Sequence, residues 1–190
     1  SEAMALNCNK CYFTFGRFQP PTTGHRENFA GVKAAAGSHD YRIYISQTVD
    51  KKGTNPLPPD RKKYYMDKMF PEHKGKIFSG PRDPVAILQD IQLAGYNEVI
   101  FLVGSDRVSA MQFLHKYNGK DFRFRKISIE SSGSRDADGD TFAISGTKMR
   151  RAAFAGDYDV FKKGIPNTLN DRDCRGLMAE IASALPSNFK

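Results

Sequence analysis

Short apolar runs alternate with longer amphipathic stretches along this sequence, and that alternation is its strongest constraint on fold. The apolar runs have the length of strands, and the stretches between them carry apolar residues at helical spacing. Strands that alternate with helices form parallel sheets, because each connection between parallel strands needs a crossover. The pattern therefore predicts an α/β fold, a Rossmann-like doubly wound parallel sheet of five strands. We place these strands at residues 11–16, 41–46, 76–79, 98–103 and 122–129.

The predicted helices connect these strands and continue beyond the last one. Helical spacing covers residues 24–36, 60–70, 158–163 and 171–185, and further helices begin after Asp83, Gly104 and Ser145. A chain of 190 residues is large enough for one domain with its own core. We assign residues 4–190 to that domain, with its core at 11–155 and a C-terminal helical extension at 156–190. Residues 1–3, which precede Met4, are interpreted as a remnant of an expression vector.

Composition predicts a cytoplasmic protein that does not enter a membrane. No apolar run approaches the roughly 20 residues of a membrane-spanning helix, and no signal segment opens the chain. Three cysteines are an odd number, which argues against a disulfide framework and for a reducing compartment. The Cys8-x-x-Cys11 pair has no second pair nearby, whereas four-ligand zinc sites normally need two. We therefore predict no metal-ligating residues.

Residues 16–25, Gly-Arg-Phe-Gln-Pro-Pro-Thr-Thr-Gly-His, connect the first strand to the first helix. Gly16 lets the backbone approach a ligand closely. Gly24 and His25 lie at a helix start, where N–H groups and the helix dipole favour phosphate. His25 can donate hydrogen bonds as charge develops on phosphate oxygens. The alternative is an ordinary strand-to-helix connection in which His25 only caps the helix.

A second stretch, residues 144–151, has the composition of another phosphate-binding helix start. Ser145 is a candidate N-cap, and Thr147, Arg150 and Arg151 share one helix face by their three- and four-residue spacing. A guanidinium group suits bidentate contact with phosphate. The alternative is a plain capped helix with a solvated basic face.

The two stretches together resemble the motifs of the cytidylyltransferase-like nucleotidyltransferases. This superfamily carries a (His/Thr)-x-Gly-His motif, to which residues 22–25 are similar in its Thr form. It also carries an Ile-Ser-x-Thr-x-x-Arg motif, to which residues 144–150 are similar, with Gly146 where Ser is commoner. The Gly-Arg-Phe-Gln-Pro opening resembles archaeal-type nicotinamide mononucleotide adenylyltransferases most, and phosphopantetheine adenylyltransferases share the Thr form. The resemblance covers roughly residues 11–155 and implies the strand order 3-2-1-4-5.

The resemblance implies a nucleotidyltransferase, in which an acceptor phosphate attacks the α-phosphate of a nucleoside triphosphate and pyrophosphate leaves. AMP transfer from ATP to a small phosphorylated acceptor is the first expectation, and cytidylyl transfer from CTP is the alternative. Mg²⁺ would bridge the phosphates, held largely by the substrate itself. The motif positions are then assigned as follows: His25 and Thr22 to the α-phosphate, Ser145, Thr147 and Arg150 to the outer phosphates, and Gly16, Arg17, Phe18, Gly24 and Ile144 to nucleotide binding.

The stretch at residues 47–59 is too long and too polar for a simple connection. It follows the second strand, whose carboxyl end faces the ligand side of such a sheet. We predict a mobile lid that brings Lys51 or Lys52 to the phosphates. The alternative is a solvated loop whose lysines only aid solubility.

Three further residues are candidates for the nucleotide or acceptor site. Arg61 lies in a segment, Asn55-Pro56-Leu57 onward, that resembles the region after strand two in the adenylyltransferases. Gly104 and Asp106 follow the fourth strand, whose end faces the same crevice as the first. Residues 131–140 contain alternating aspartates but lack the glycine and glutamate positions of a calcium loop, so we interpret them as a mobile loop.

The rival hypothesis from another class is a non-catalytic nucleic-acid-binding module on the same fold. It draws on the net charge of +8, on Arg123, Arg125 and Lys126 beside two phenylalanines, and on the basic residues within 148–151. Phe122 and Phe124 alternate within a predicted strand and are more simply explained as core. Nucleic acid is therefore a possible but not favoured partner, and a homo-oligomer is left open.

Overall fold

The computed structural model describes residues 9–133 and 144–190. It contains a five-stranded, all-parallel sheet in the order β3-β2-β1-β4-β5, which confirms the predicted fold class and strand order. The chain changes direction across the sheet at β1, so a crevice is expected at the carboxyl ends of β1 and β4. The strands are β1 (Lys10–Gly16), β2 (Asp40–Ile45), β3 (Ile77–Phe78), β4 (Glu98–Val103) and β5 (Lys126–Ser131).

Helices cover the sheet and form the C-terminal extension. Two of the predicted N-caps are confirmed: the Asp83 carboxylate accepts the N–H of Ala86 at 2.8 Å, and the Ser145 hydroxyl accepts that of Lys148 at 3.2 Å. The α-helices are α1 (Thr23–Ala36), α2 (Pro59–Met69), α3 (Pro84–Leu93), α4 (Val108–Met111), α5 (Gly146–Ala155), α6 (Tyr158–Lys163) and α7 (Asp171–Ala184). Two 3₁₀ helices lie at Pro71–His73 and Gln112–Tyr117.

The fifth strand begins four residues later than the alternation of aromatics predicted. Phe122 and Phe124 precede β5 and are buried, at 3% and 5% exposure. The amide side chain of Asn118 holds the backbone of Phe124, donating to its carbonyl at 3.0 Å and accepting from its N–H at 2.8 Å. The alternation therefore marks a turn that delivers two rings to the core, and the sheet ladder begins at Lys126.

The helix predicted after β4 is also shorter than expected. Only Val108–Met111 is α-helical, and the chain continues as a 3₁₀ helix over Gln112–Tyr117. This stretch buries Leu114 alone, whereas α3 buries three apolar side chains. Little packing therefore supports a regular helix in this connection.

Two apolar clusters lie on opposite faces of the sheet. One contains Ile43 and Ile45 of β2, packed with buried residues of α1, α2, α5 and α7. The other contains Phe13 and Phe101, whose stacked rings lie 4.2 Å apart, packed with α3 and the 3₁₀ helix that follows α4. The sheet is thus covered on both faces, as parallel sheets require.

The described cysteines are separated by the sheet. Cys11 belongs to one cluster and Cys174 to the other, and both thiols are free. Burial raises the pKa of Cys11 to about 12, so this thiol stays protonated at neutral pH. Cys8 and the aspartates at 136, 138 and 140 lie outside the described residues. Within the described ranges, no helix combines the length and apolar character that crossing a membrane demands.

Candidate active site

A cavity of about 500 Å³ opens at the carboxyl ends of β1 and β4. This volume lies within the range of small-molecule sites, about 300–1,000 Å³. The predicted site residues that line it are Gly16, Arg17, Phe18, Gly24, His25, Gly104 and Arg150. Among the described residues, the lining is formed by residues 14–20, 24, 25, 27, 28, 31, 46, 101–104, 107, 111, 132, 133, 146 and 150. The two motifs therefore meet at one cavity.

The turn after β1 is shaped by the ring of Phe18. A Cβ at Gly16 would lie 2.6 Å from that ring, so any side chain there would displace it. Phe18 has a φ of 51°, in the left-handed region that residues other than glycine rarely adopt. We expected the glycine only for close approach of a ligand. The structure adds a second reason, which is that Gly16 makes room for the Phe18 ring.

His25 is oriented by the first turn of its own helix. Its Nδ1 accepts the backbone N–H of Thr22 at 3.0 Å, and its ring packs edge-on against Phe18 with centroids 4.9 Å apart. Because Nδ1 accepts a hydrogen bond, the neutral ring carries its proton on Nε2. Nε2 is then the donor nitrogen, which a charged phosphate oxygen requires. Thr22 is the N-cap of α1, is 1% exposed and lies outside the cavity lining.

Gln19 joins the first motif to two distant segments. Its amide exchanges two hydrogen bonds with the backbone of Leu57, both at 2.9 Å. The backbone carbonyl of Gln19 accepts a hydrogen bond from Nη1 of Arg150 at 2.9 Å, while Nη2 of Arg150 donates to the Thr147 hydroxyl at 3.3 Å. The buried guanidinium of the second motif is thereby held against the turn of the first. Our sequence reasoning missed Gln19, although it lies within the Gly-Arg-Phe-Gln-Pro opening.

The charges around the cavity favour an anionic ligand. Among the described residues its charged lining consists of Arg17, Arg107, Arg150 and the single carboxylate Glu27. The N-terminal turns of α1 and α5 also face it, through Gly24 and Gly146 respectively. Helix N-termini present backbone N–H groups and positive dipole ends to phosphate. Arginine adds planar, permanently charged donors suited to phosphate oxygens.

Lys62 stands behind the cavity wall as a fully buried cation. Its Nζ donates to the carbonyls of Arg17 at 2.7 Å and Ser46 at 2.8 Å, and both of those residues line the cavity. Burial, together with the nearby charge of Arg17, lowers the pKa of Lys62 to about 7. Lys62 therefore ties the loop after β1 to the end of β2. We missed this residue because buried lysines are rare and two cations adjoin it.

Arg61, predicted to bind nucleotide, lies outside the cavity lining and is bound elsewhere. Its guanidinium contacts the carboxylate of Glu180 on α7 through two hydrogen bonds, at 2.7 and 3.1 Å. It also stacks over the ring of Tyr64 at 4.6 Å. These contacts tie α2 to the C-terminal helix. It is the next residue, Lys62, that contacts the walls of the cavity.

Other predicted residues also lie outside the lining, and two of them, Ser145 and Thr147, support it. Ser145 caps α5, and Thr147 contacts Arg150. Ile144 packs against the core cluster that contains β2. Asp106 is exposed, and its neighbour Arg107 lines the cavity instead.

The loop between β2 and α2 is organised by Asp50. Its carboxylate accepts the backbone N–H groups of Lys52 at 3.0 Å and Asn55 at 3.2 Å, and the Asn55 amide at 2.8 Å. These hydrogen bonds hold the pKa of Asp50 below its usual value. Lys51 and Lys52 are exposed on this loop, outside the cavity lining. The predicted lid concerns motion of the loop and stays a prediction.

The described lining fits a metal that arrives with its ligand better than a resident one. Mg²⁺ takes oxygen ligands and is commonly bound through substrate phosphates together with one or two carboxylates. Glu27 is the single carboxylate of the described lining. Over residues 9–133 and 144–190, no group of three or more His, Cys, Asp or Glu side chains is arranged to hold a metal.

The comparisons with known proteins add no family. A scan against protein-family models finds no match, and a search of curated proteins finds none either. The resemblance therefore rests on residues 16–25 and 144–150 themselves, and on the cavity where the structure brings them together.

Proposed function

We propose that this protein is a nucleotidyltransferase that moves a nucleoside monophosphate from its triphosphate to a small phosphorylated acceptor and releases pyrophosphate. One observation carries the proposal: Arg150 of the second motif donates to the Gln19 carbonyl of the first, across 131 residues of sequence. Two stretches that each resemble a phosphate-binding motif thereby share one cavity. The alternative, a plain capped helix with a solvated basic face, predicts an exposed arginine, whereas Arg150 is buried against the first motif.

The proposed reaction needs no nucleophile from the protein. An oxygen of the acceptor phosphate forms a bond to the α-phosphorus, and the bond from that phosphorus to the oxygen bridging to the β-phosphate breaks. The electron pair leaves with pyrophosphate. Positioning the reactants and neutralising charge on the phosphates supply the catalysis.

The cavity residues divide between the two ends of the triphosphate. His25, with its Nε2 proton, lies at the start of α1 and serves the α-phosphate. Arg150 and the first turn of α5 serve the β- and γ-phosphates that leave. Arg17 and Arg107 add positive charge to the same cavity. Mg²⁺ enters as part of the metal–triphosphate substrate and screens the charge of its phosphates.

ATP is our first choice of donor, because the Gly-Arg-Phe-Gln-Pro opening resembles adenylyltransferases most. CTP is the alternative within the same chemistry. The acceptor is proposed only as a phosphorylated small molecule, for which nicotinamide mononucleotide and phosphopantetheine are the nearest analogies.

A pyrophosphate-release screen tests the proposal directly. ATP, CTP, GTP and UTP are each incubated with Mg²⁺ and a panel of phosphorylated acceptors. We expect acceptor-dependent release with one triphosphate. The variant His25→Ala should fold and lose roughly 10²- to 10³-fold of that rate, as expected for one lost transition-state donor.

The control variant is His115→Ala, which changes an exposed histidine outside the cavity lining. It should keep the parental rate. Near-normal turnover by a folded His25→Ala variant would remove His25 from catalysis, and no release with any pair would contradict the proposed function.

The nucleic-acid hypothesis loses the support of its two phenylalanines. The rings of Phe122 and Phe124 are buried and so cannot stack on bases. Arg125, which follows Phe124, contacts Glu98 at 2.5 Å. The net charge of +8 remains. Tight binding of random oligonucleotides that weakens steeply with salt would favour this rival.

A further inference from the structure

Gly31 occupies an unusual place for a glycine. It lies inside α1, which runs from Thr23 to Ala36, and it lines the cavity. Apart from proline, glycine is the least favourable residue in a helix interior. A glycine at this position therefore weakens the helix, which raises the question of which other feature of the structure requires it.

Neither backbone conformation nor packing among the described residues requires this glycine. Gly31 is not among the glycines with positive φ, unlike Gly37 at the end of the same helix. A Cβ built on Gly31 meets nothing within 4 Å, whereas one on Gly16 meets the Phe18 ring at 2.6 Å. With respect to the described residues, an alanine at position 31 would thus fit the folded protein, and its methyl group would extend into open space beside the cavity wall.

The surroundings of Gly31 indicate which part of a ligand lies there. Glu27 and Asn28 stand one turn earlier on the same face of α1, and both line the cavity. His25 lies six residues earlier, which corresponds to about 9 Å along a helix. A nucleotide with its α-phosphate at His25 would therefore extend its nucleoside part past Glu27 and Asn28 towards Gly31.

We propose that the bare backbone of α1 at Gly31 is the wall against which the nucleoside part of the nucleotide packs. Glu27 and Asn28 offer polar groups to its hydroxyl or amino edges, since a carboxylate accepts and an amide both donates and accepts. Gly31 is then a specificity-determining residue: it lowers the stability of α1 and leaves space for the nucleoside part of the ligand. The inference rests on the proposed function, because it takes the ligand to be a nucleotide.

The test replaces Gly31 by residues that favour a helix and fill the space. The variants Gly31→Ala and Gly31→Leu should each melt at a higher temperature than the parent, because both raise helix propensity. Calorimetry should show weaker binding of Mg-ATP, by roughly tenfold for the leucine variant and less for the alanine variant. Inorganic tripolyphosphate, which has no nucleoside, should bind all three proteins equally.

Gly176→Ala is the matched control. Gly176 is also a helix-interior glycine, on α7, and lies outside the cavity lining, and its Cβ would meet only the Tyr65 hydroxyl, at 3.4 Å. This variant should keep parental affinity for Mg-ATP. Where ATP proves not to be the donor, the triphosphate selected by the release screen takes its place.

The outcomes separate this inference from the proposed function. If the parent binds a nucleoside triphosphate and both Gly31 variants bind it equally well, the inference is overturned while the proposed function stands. Equal losses for tripolyphosphate, or an equal loss in Gly176→Ala, would also overturn it. A parent that binds no nucleoside triphosphate contradicts the proposed function, and the inference with it.

Discussion

Replacing Lys62 by methionine should abolish part of the pH dependence of stability. The side chain is fully buried, and within the described part of the chain its Nζ contacts two carbonyls and no carboxylate. Its pKa falls from 10.5 to about 7. Since one pKa unit corresponds to about 1.4 kcal/mol, holding the charge in the folded protein costs on the order of 5 kcal/mol below pH 7.

The sign follows from proton counting. Between pH 7 and pH 10.5 the unfolded chain keeps the Lys62 proton while the folded protein releases it. Stability therefore rises with pH in that window, by about 1.4 kcal/mol for each pH unit from this group. Below pH 7 both states are protonated and the full penalty persists. The Met variant has no such group, so its free energy of unfolding should lack this rise.

At low pH two effects oppose each other. Methionine removes the buried charge but leaves the carbonyls of Arg17 and Ser46 without their donor, at about 1–3 kcal/mol each. The two variants should thus be close in stability at pH 6. At pH 9 the parent should have gained about 3 kcal/mol relative to Lys62→Met.

Urea unfolding followed by circular dichroism at pH 6, 7, 8 and 9 measures this difference, since the chain has no tryptophan for fluorescence. Lys63→Met is the control, because Lys63 is partly exposed and bound to Asp67 at 2.8 Å. It leaves Lys62 in place and should follow the parental curve. Parallel curves for Lys62→Met and the parent would refute the reasoning.

Three further outcomes are expected. Arg150→Ala should weaken triphosphate binding more than monophosphate binding, by roughly 1.5–3 kcal/mol in calorimetry; equal losses would mean that Arg150 does not contact the outer phosphates. Arg61→Ala should leave nucleotide affinity unchanged and lower the free energy of unfolding by about 1 kcal/mol or less, as its pair with Glu180 is partly exposed; a tenfold loss of affinity would instead support the prediction that Arg61 binds nucleotide. Residues 47–59 should exchange amide hydrogens more slowly with Mg-ATP, and Lys51→Ala combined with Lys52→Ala should lower turnover; equal exchange and full turnover would rule out the lid.

Sequence reasoning worked where one pattern had one physical cause. The alternation of apolar and amphipathic segments is buried efficiently as a parallel sheet with helices on both faces, so the fold class was predictable from the pattern. The strand order was predicted from the family resemblance and not from this pattern. Both motifs come to one cavity because strand ends and helix starts meet at that edge of the sheet. The start of β5 was not predictable, since alternating aromatics bury equally well in a strand and in the turn held by Asn118.

Which of two neighbouring residues contacts the cavity could not be predicted from the sequence, for a geometric reason. Successive residues of a helix point about 100° apart, so the angle of α2 decides whether Arg61 or Lys62 meets the cavity wall. Both are cations, and no charge pattern distinguishes them. Asp106 and Arg107 differ in the same way: the chain leaves β4 through a turn, and the arginine lines the cavity.

The hydrogen bonds of Gln19 imply that the candidate site forms late in folding. They join the turn after β1 to Leu57, 38 residues away, and to Arg150, 131 residues away. Contacts this distant in sequence require closure of very large loops and therefore form only once most of the chain is organised. A chain truncated before α5 retains all five strands of the described sheet yet lacks Arg150 and Gly146, which line the cavity from α5. If the proposed function holds, nucleotide affinity would report on the completeness of the fold from β1 to α5.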